Sequence, residues 1–136
     1  MFIKYSFGFL LASLVQAGIV MLFELLEISS LGATLTFMQL LTHIIAGQVA
    51  GYMLLFIVKL IESITKLSTL IIGSFWGIII WSIIIPLNVT LGKIRAPWTQ
   101  GTGTMFPSII AFVVYGIIAH YTIKKYSHTN PEIKNY

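Results

Sequence analysis

Charged residues divide the chain into four long apolar intervals. Nineteen residues without a charge lie between Lys4 and Glu24, 31 between Glu27 and Lys59, 26 between Lys66 and Lys93, and 28 between Arg95 and Lys124. A helix needs about 20 apolar residues to cross a hydrocarbon core ~30 Å thick. Each interval therefore holds one span, and none comfortably holds two. A bilayer admits only helices or closed barrels, and unbroken runs such as Leu70-Ile71-Ile72 and Ile78-Ile79-Ile80 lack the alternation of a barrel strand. The pattern predicts an all-α membrane protein of four transmembrane helices, over about residues 6–26, 35–60, 68–89 and 105–123. They make one domain, residues 1–126, followed by a polar tail over 127–136 that is expected to be disordered. The connector 61–67 reads as a short interfacial turn, and Pro86 is expected to kink or end the third helix.

Composition adds an exclusion. Of the 136 residues, 57% are hydrophobic and 9% charged, with a mean hydropathy of +0.95. A soluble domain carries about 25% charged residues, so a soluble monomer is excluded. Lys4, a short apolar stretch and Val15-Gln16-Ala17 imitate a signal peptide, but apolar residues continue through Ile19–Phe23, so an uncleaved first helix is expected. Cysteine is absent, which removes disulfides, thiolate metal sites and cysteine nucleophiles.

Charge sets an expected orientation. Lys4, Lys59, Lys66, Lys124, Lys125 and Lys134 fall on one side of the four spans, and only Lys93 and Arg95 on the other. The positive-inside rule then places both termini in the cytoplasm. Eight scattered basic residues make no compact nucleic-acid patch, and the lipid bilayer is the expected partner of this collar. Tyr5, Tyr121 and Tyr126 near the inner surface and Trp98 near the outer one read as an aromatic belt, whereas Trp76 and Trp81 read as packing residues.

Two patterns concern helix packing. Residues 6–52 set against 75–121 share nine identities at a constant offset of 69, among them Gly8/Gly77, Gly32/Gly101, Gly47/Gly116 and Tyr52/Tyr121. This reads as a duplicated helical hairpin, with shared membrane composition as the alternative. Gly47 and Gly51 form one GxxxG pair and Gly73 and Gly77 another. Small residues four apart let helix backbones approach closely, so these four are expected at helix contacts, within the chain or across a homo-oligomer.

Polar residues inside a membrane are candidates for function. Here they are Gln16, Glu24, Gln39, His43, Gln48 and His120. Glu24, Gln39 and His43 make the candidate site, because Gln39 and His43 share a helix face and Glu24 lies level with the start of that helix. His43 sits roughly 9 Å deeper at ~1.5 Å per residue, so a water or Gln39 would have to link it to Glu24. His43 is expected to face the interior with a hydrogen-bond partner. His120 reads as an inner-interface residue. The depths of His43 and His120 differ, and neither HExxH nor any aspartate is present, so no metal or cofactor is expected. There is no G-x-S-x-G elbow, P-loop or dinucleotide fingerprint, so no catalytic residue is assigned and an enzyme is not expected.

Helix three and its exit, Gly73-Ser74-Phe75-Trp76-Gly77-Ile78-Ile79-Ile80-Trp81 leading to Pro86-Leu87-Asn88, resemble the third helix of the YqhR family of small bacterial integral membrane proteins. The segment Val113-Val114-Tyr115-Gly116-Ile117-Ile118-Ala119-His120-Tyr121 is similar to that family's final helix. Gly77, Trp81, Pro86 and Pro97-Trp98 also resemble the YagU-like group. Either likeness implies a four-helix protein of the bacterial plasma membrane and brings no enzymatic mechanism. Two function classes follow. One is a structural or accessory protein that packs with itself or another membrane protein through its glycine stripes. The alternative is a small oligomeric transporter or channel, with Glu24, Gln39 and His43 handling protons or a cation at the outer face.

Overall fold

Residues 2–30, 32, 36–61 and 68–129, with side chains as far as Tyr126, are described by a computed structural model. Four α-helices carry the structure: α1 Phe2–Leu25, α2 Phe37–Leu60, α3 Thr69–Thr90 and α4 Thr102–Thr129, with a 3-10 turn at Pro97–Thr99 leading into α4. All four are long and apolar enough to cross a membrane. The chain is a small multi-pass integral membrane protein with an all-α fold.

The first and last helices outrun their expected spans. α1 begins at Phe2 rather than near residue 6, and α4 begins at Thr102 and continues through Thr129, into what the pattern assigned to a disordered tail. The apolar pattern marks only the part of a helix inside hydrocarbon, whereas Lys4, Lys124 and Lys125 extend their stems along the helix while their ammonium groups stay in water. Residues 62–67, most of the expected interfacial turn, and 130–136 lie outside the described residues.

Pro86 does not end α3, which continues to Thr90. Proline leaves the Ser82 carbonyl without its helical donor, a single lost bond near the end of the helix. Around this point the side chains bond back to the helix: Ser82 Oγ donates to the Ile78 carbonyl at 2.8 Å, Asn88 Nδ2 to the Ile84 carbonyl at 2.8 Å, and Thr90 Oγ1 to the Pro86 carbonyl at 2.9 Å.

The helices run alternately up and down. At one end the two long connections meet, with the Ser30 amide donating to Thr104 Oγ1 at 2.8 Å. At the other end, the terminal end, Tyr5 meets Tyr126 edge-on at 6.2 Å and His120 Nδ1 lies 3.2 Å from Thr69 Oγ1. α4 packs along both α3 and α1, and α2 packs on α1 and touches α4. α2 and α3 share no extended contact.

Buried positions follow the helical repeat. On α1 they are Tyr5, Gly8, Phe9, Ala12, Ser13, Gln16 and Ala17, a single stripe at spacings of three and four. Tyr5 is fully buried in this stripe, so it belongs to the core and not to an interfacial belt. His120, 3% exposed, is likewise a buried tie between α4 and the start of α3, where an inner-interface residue was expected. Trp76 lies in the core, and Trp81 Nε1 donates to Ser108 Oγ on α4 at 3.0 Å.

The four GxxxG glycines point at other helices of the same chain. A Cβ on Gly47 would strike Ser13 of α1, and one on Gly51 the Phe9 ring. A Cβ on Gly73 would strike the backbone of Gly116 and Ile117, and one on Gly77 the backbone of Phe112 and Val113, all on α4. Close approach of α3 to α4 therefore depends on glycine at 73, 77 and 116, where backbone meets backbone.

Candidate functional site

α2 is buried unevenly. Its buried residues are Gly47, Ala50, Gly51, Leu54, Leu55 and Val58, all in the half toward the terminal end. None of residues 37–46 is buried. Over that half α2 stands off the bundle, and because α3 lies on the far side of α4, a gap opens between α2 and α3. The gap is a cavity of about 310 Å3. α1 and α4 floor it with Gln16, Ala17, Ser108 and Phe112, α2 contributes Gln39, Thr42, His43 and Ala46, and α3 contributes Ile84, Ile85 and Asn88. Lys93, from the connection after α3, stands at its rim.

The cavity is blind. A small void of about 30 Å3 continues it toward the membrane middle, bounded by Gly47, Ala50, Ile80 and Tyr115. Beyond this the Tyr115 hydroxyl donates to the Gly47 carbonyl, and Phe9, Leu54 and Ile123 fill the core. Among the described residues no passage leads on to the terminal end.

The polar side chains around the cavity differ in how they are satisfied. His43 Nε2 lies 2.9 Å from the Ser13 carbonyl on α1. A carbonyl only accepts, so Nε2 carries the hydrogen and Nδ1 of the neutral ring is an acceptor. Gln39 belongs to the N-terminal capping box of α2: its amide donates to Thr36 Oγ1 at 3.2 Å and its Oε1 accepts from the Thr36 amide at 3.3 Å. Ser108 Oγ accepts from Trp81 and donates to the Met105 carbonyl at 2.7 Å.

Gln16 differs from the rest. It is 5% exposed and lines both the cavity and the deeper void, and its carboxamide has no hydrogen-bond partner among the described residues. Its sequence signal was plain, a glutamine in mid-span. The missing information was the partner: Ser13 Oγ and Trp76 Nε1 also have none among the described residues, whereas His43, Gln48 and His120 each bond a residue at least 30 positions away. Gln48, for instance, donates to the Ser6 carbonyl at 2.8 Å.

The structure brings two of the three expected site residues together. Gln39 and His43 both line the cavity; Glu24 does not. Glu24 accepts from Ser29 Oγ at 3.2 Å within the turn that ends α1. No group of three histidine, cysteine or carboxylate side chains gathers for a metal ion among the described residues. The chain matches no protein-family model, no curated protein and no solved structure.

Proposed function

We propose that this integral membrane protein binds a small amphipathic molecule in the cavity between α2 and α3. The observation that carries the reading is Gln16, a buried carboxamide turned to open cavity space with no partner. Burying an amide without a hydrogen bond costs about 1–3 kcal/mol, and a ligand or bound water supplies what the helices do not. A volume of about 310 Å3 corresponds to roughly ten waters at ~30 Å3 each and lies at the lower end of small-molecule sites, ~300–1,000 Å3. Mostly apolar walls with a few polar groups are also the composition of such sites.

The geometry weighs against the other readings. A cation entering this cavity would meet Lys93 and no lining carboxylate, and the cavity is blind. The accessory reading drew on the glycine stripes, and those are occupied by contacts within the chain. The basic asymmetry supports cytoplasmic termini, which opens the cavity toward the outer face. The resemblance to YqhR-like proteins supports a bacterial plasma membrane.

Native mass spectrometry of the protein released from nanodiscs tests the binding reading. The wild type should retain a small-molecule adduct, and Ala46→Trp, which fills the cavity, should lose it while keeping its helical circular dichroism. Equal adduct occupancy in the two proteins would refute a ligand in this cavity.

A further inference from the structure

Polar groups stand at both ends of the cavity, with an apolar stretch between them. At the rim is Lys93, an exposed residue; among the described lining residues it alone is charged. At the floor are the unpartnered Gln16 carboxamide and His43, whose Nε2 is engaged by the Ser13 carbonyl. Between them run Val20, Met21, Ile84 and Ile85, together with Thr42 and Asn88, whose side chains are bonded back to carbonyls of their own helices. Along α3 the lining extends from Leu91 to Ile84, about 10 Å at ~1.5 Å per residue.

We propose that the ligand is an organic anion polar at both ends, with its acid group at Lys93, an apolar middle of medium length, and a hydroxyl or carbonyl at the far end that bonds Gln16. The proposal rests on the cavity being a binding site and adds the ligand's class and orientation. Charge complementarity places the acid end at Lys93, the one charged residue among the described lining residues. The far end follows from Gln16, since an alkyl terminus there would leave a buried amide unpaired. The volume holds a chain of about ten carbons, counting ~30 Å3 for each water-sized unit, and is too small for a whole two-chain lipid.

Equilibrium dialysis of 10-hydroxydecanoate, decanoate and 1-decanol against the protein in nanodiscs tests this, with Ala46→Trp nanodiscs subtracting partition into lipid. Hydroxydecanoate should bind about threefold to tenfold more tightly than decanoate, the range for one net hydrogen bond. Gln16→Leu should erase that preference while leaving decanoate binding in place. Lys93→Gln should weaken both acids about twofold to fivefold and leave 1-decanol unchanged. Equal binding of hydroxydecanoate and decanoate by the wild type, or a preference that survives Gln16→Leu, would overturn the two-ended ligand without touching the cavity reading. Binding of all three probes that is the same in Ala46→Trp as in the wild type would overturn both.

Discussion

Glu27 illustrates how much a single residue's backbone can decide. Its φ is 59°, in the left-handed region that side chains other than glycine's avoid. The Ile28 amide reaches back to the Phe23 carbonyl at 3.0 Å and the Glu27 amide to that of Glu24 at 3.1 Å, the pairing of a Schellman ending. This turn stops α1 and carries Ser29 to Glu24. Glu27→Gly should stabilise the protein by about 1 kcal/mol, because glycine adopts the conformation freely; reversible unfolding in mixed micelles measures it, and a loss of stability would contradict this account. Tyr115→Phe removes the hydroxyl that bonds Gly47 and should cost about 0.6–1.7 kcal/mol, the range of interhelical hydrogen bonds in membranes, in the same assay. At this scale the sequence was partly legible. Intramembrane polar residues stand out at once, and His43 is expected to point inward with a hydrogen-bond partner on α1, on α3 or in a water pocket. Partners such as Ser13 for His43 and Thr69 for His120 are long-range, and no local pattern encodes them. Gln39 and His43 share a helix face and do meet at the cavity, whereas Glu24 is grouped with them by depth alone, and depth does not say which way a side chain turns.

Among the helices, the spans were legible because the bilayer imposes a minimum apolar length. Their facing was not. In water an apolar stripe identifies the buried side, but in lipid both sides are apolar, and α1 shows no polarity contrast between its buried Ala12 and its exposed Leu11 and Leu14. Glycine spacing was the surviving signal, and it located the faces of α2 and α3. The contrast between glycines gives a direct test. A Cβ on Gly77 would overlap the Phe112 and Val113 backbone, whereas one on Gly18 meets nothing within 4 Å. Gly77→Ala should destabilise by about 1–3 kcal/mol, the usual cost of overpacking. Gly18→Ala should be neutral or stabilise by up to about 1 kcal/mol through helix propensity. Similar effects of the two substitutions would mean that α3 and α4 do not meet at Gly77.

For the whole molecule, the decisive feature is an asymmetry that no interval length reveals. α2 buries residues over the half from Gly47 to Val58 and none from Phe37 to Ala46, where His43 still bonds α1, so it packs closely toward the terminal end and loosely toward the other. The chain lacks cysteine, so single cysteines report on this directly. Ser30→Cys and Thr102→Cys should react with an impermeant thiol reagent applied outside cells, and Thr129→Cys should react only after permeabilisation; the reverse would invert the orientation. The central claim is that the cavity is a binding space reached by water and solutes, not a packing gap filled by lipid. A thiol must ionise to react, and it does not do so in hydrocarbon. The measurement is the rate at which a small charged methanethiosulfonate labels Ala46→Cys, which lines the cavity, against Ala12→Cys, which is fully buried between helices. Reaction of Ala46→Cys more than about tenfold faster, from the same side as Ser30→Cys, is the predicted result. Equal, negligible rates at the two positions would contradict it.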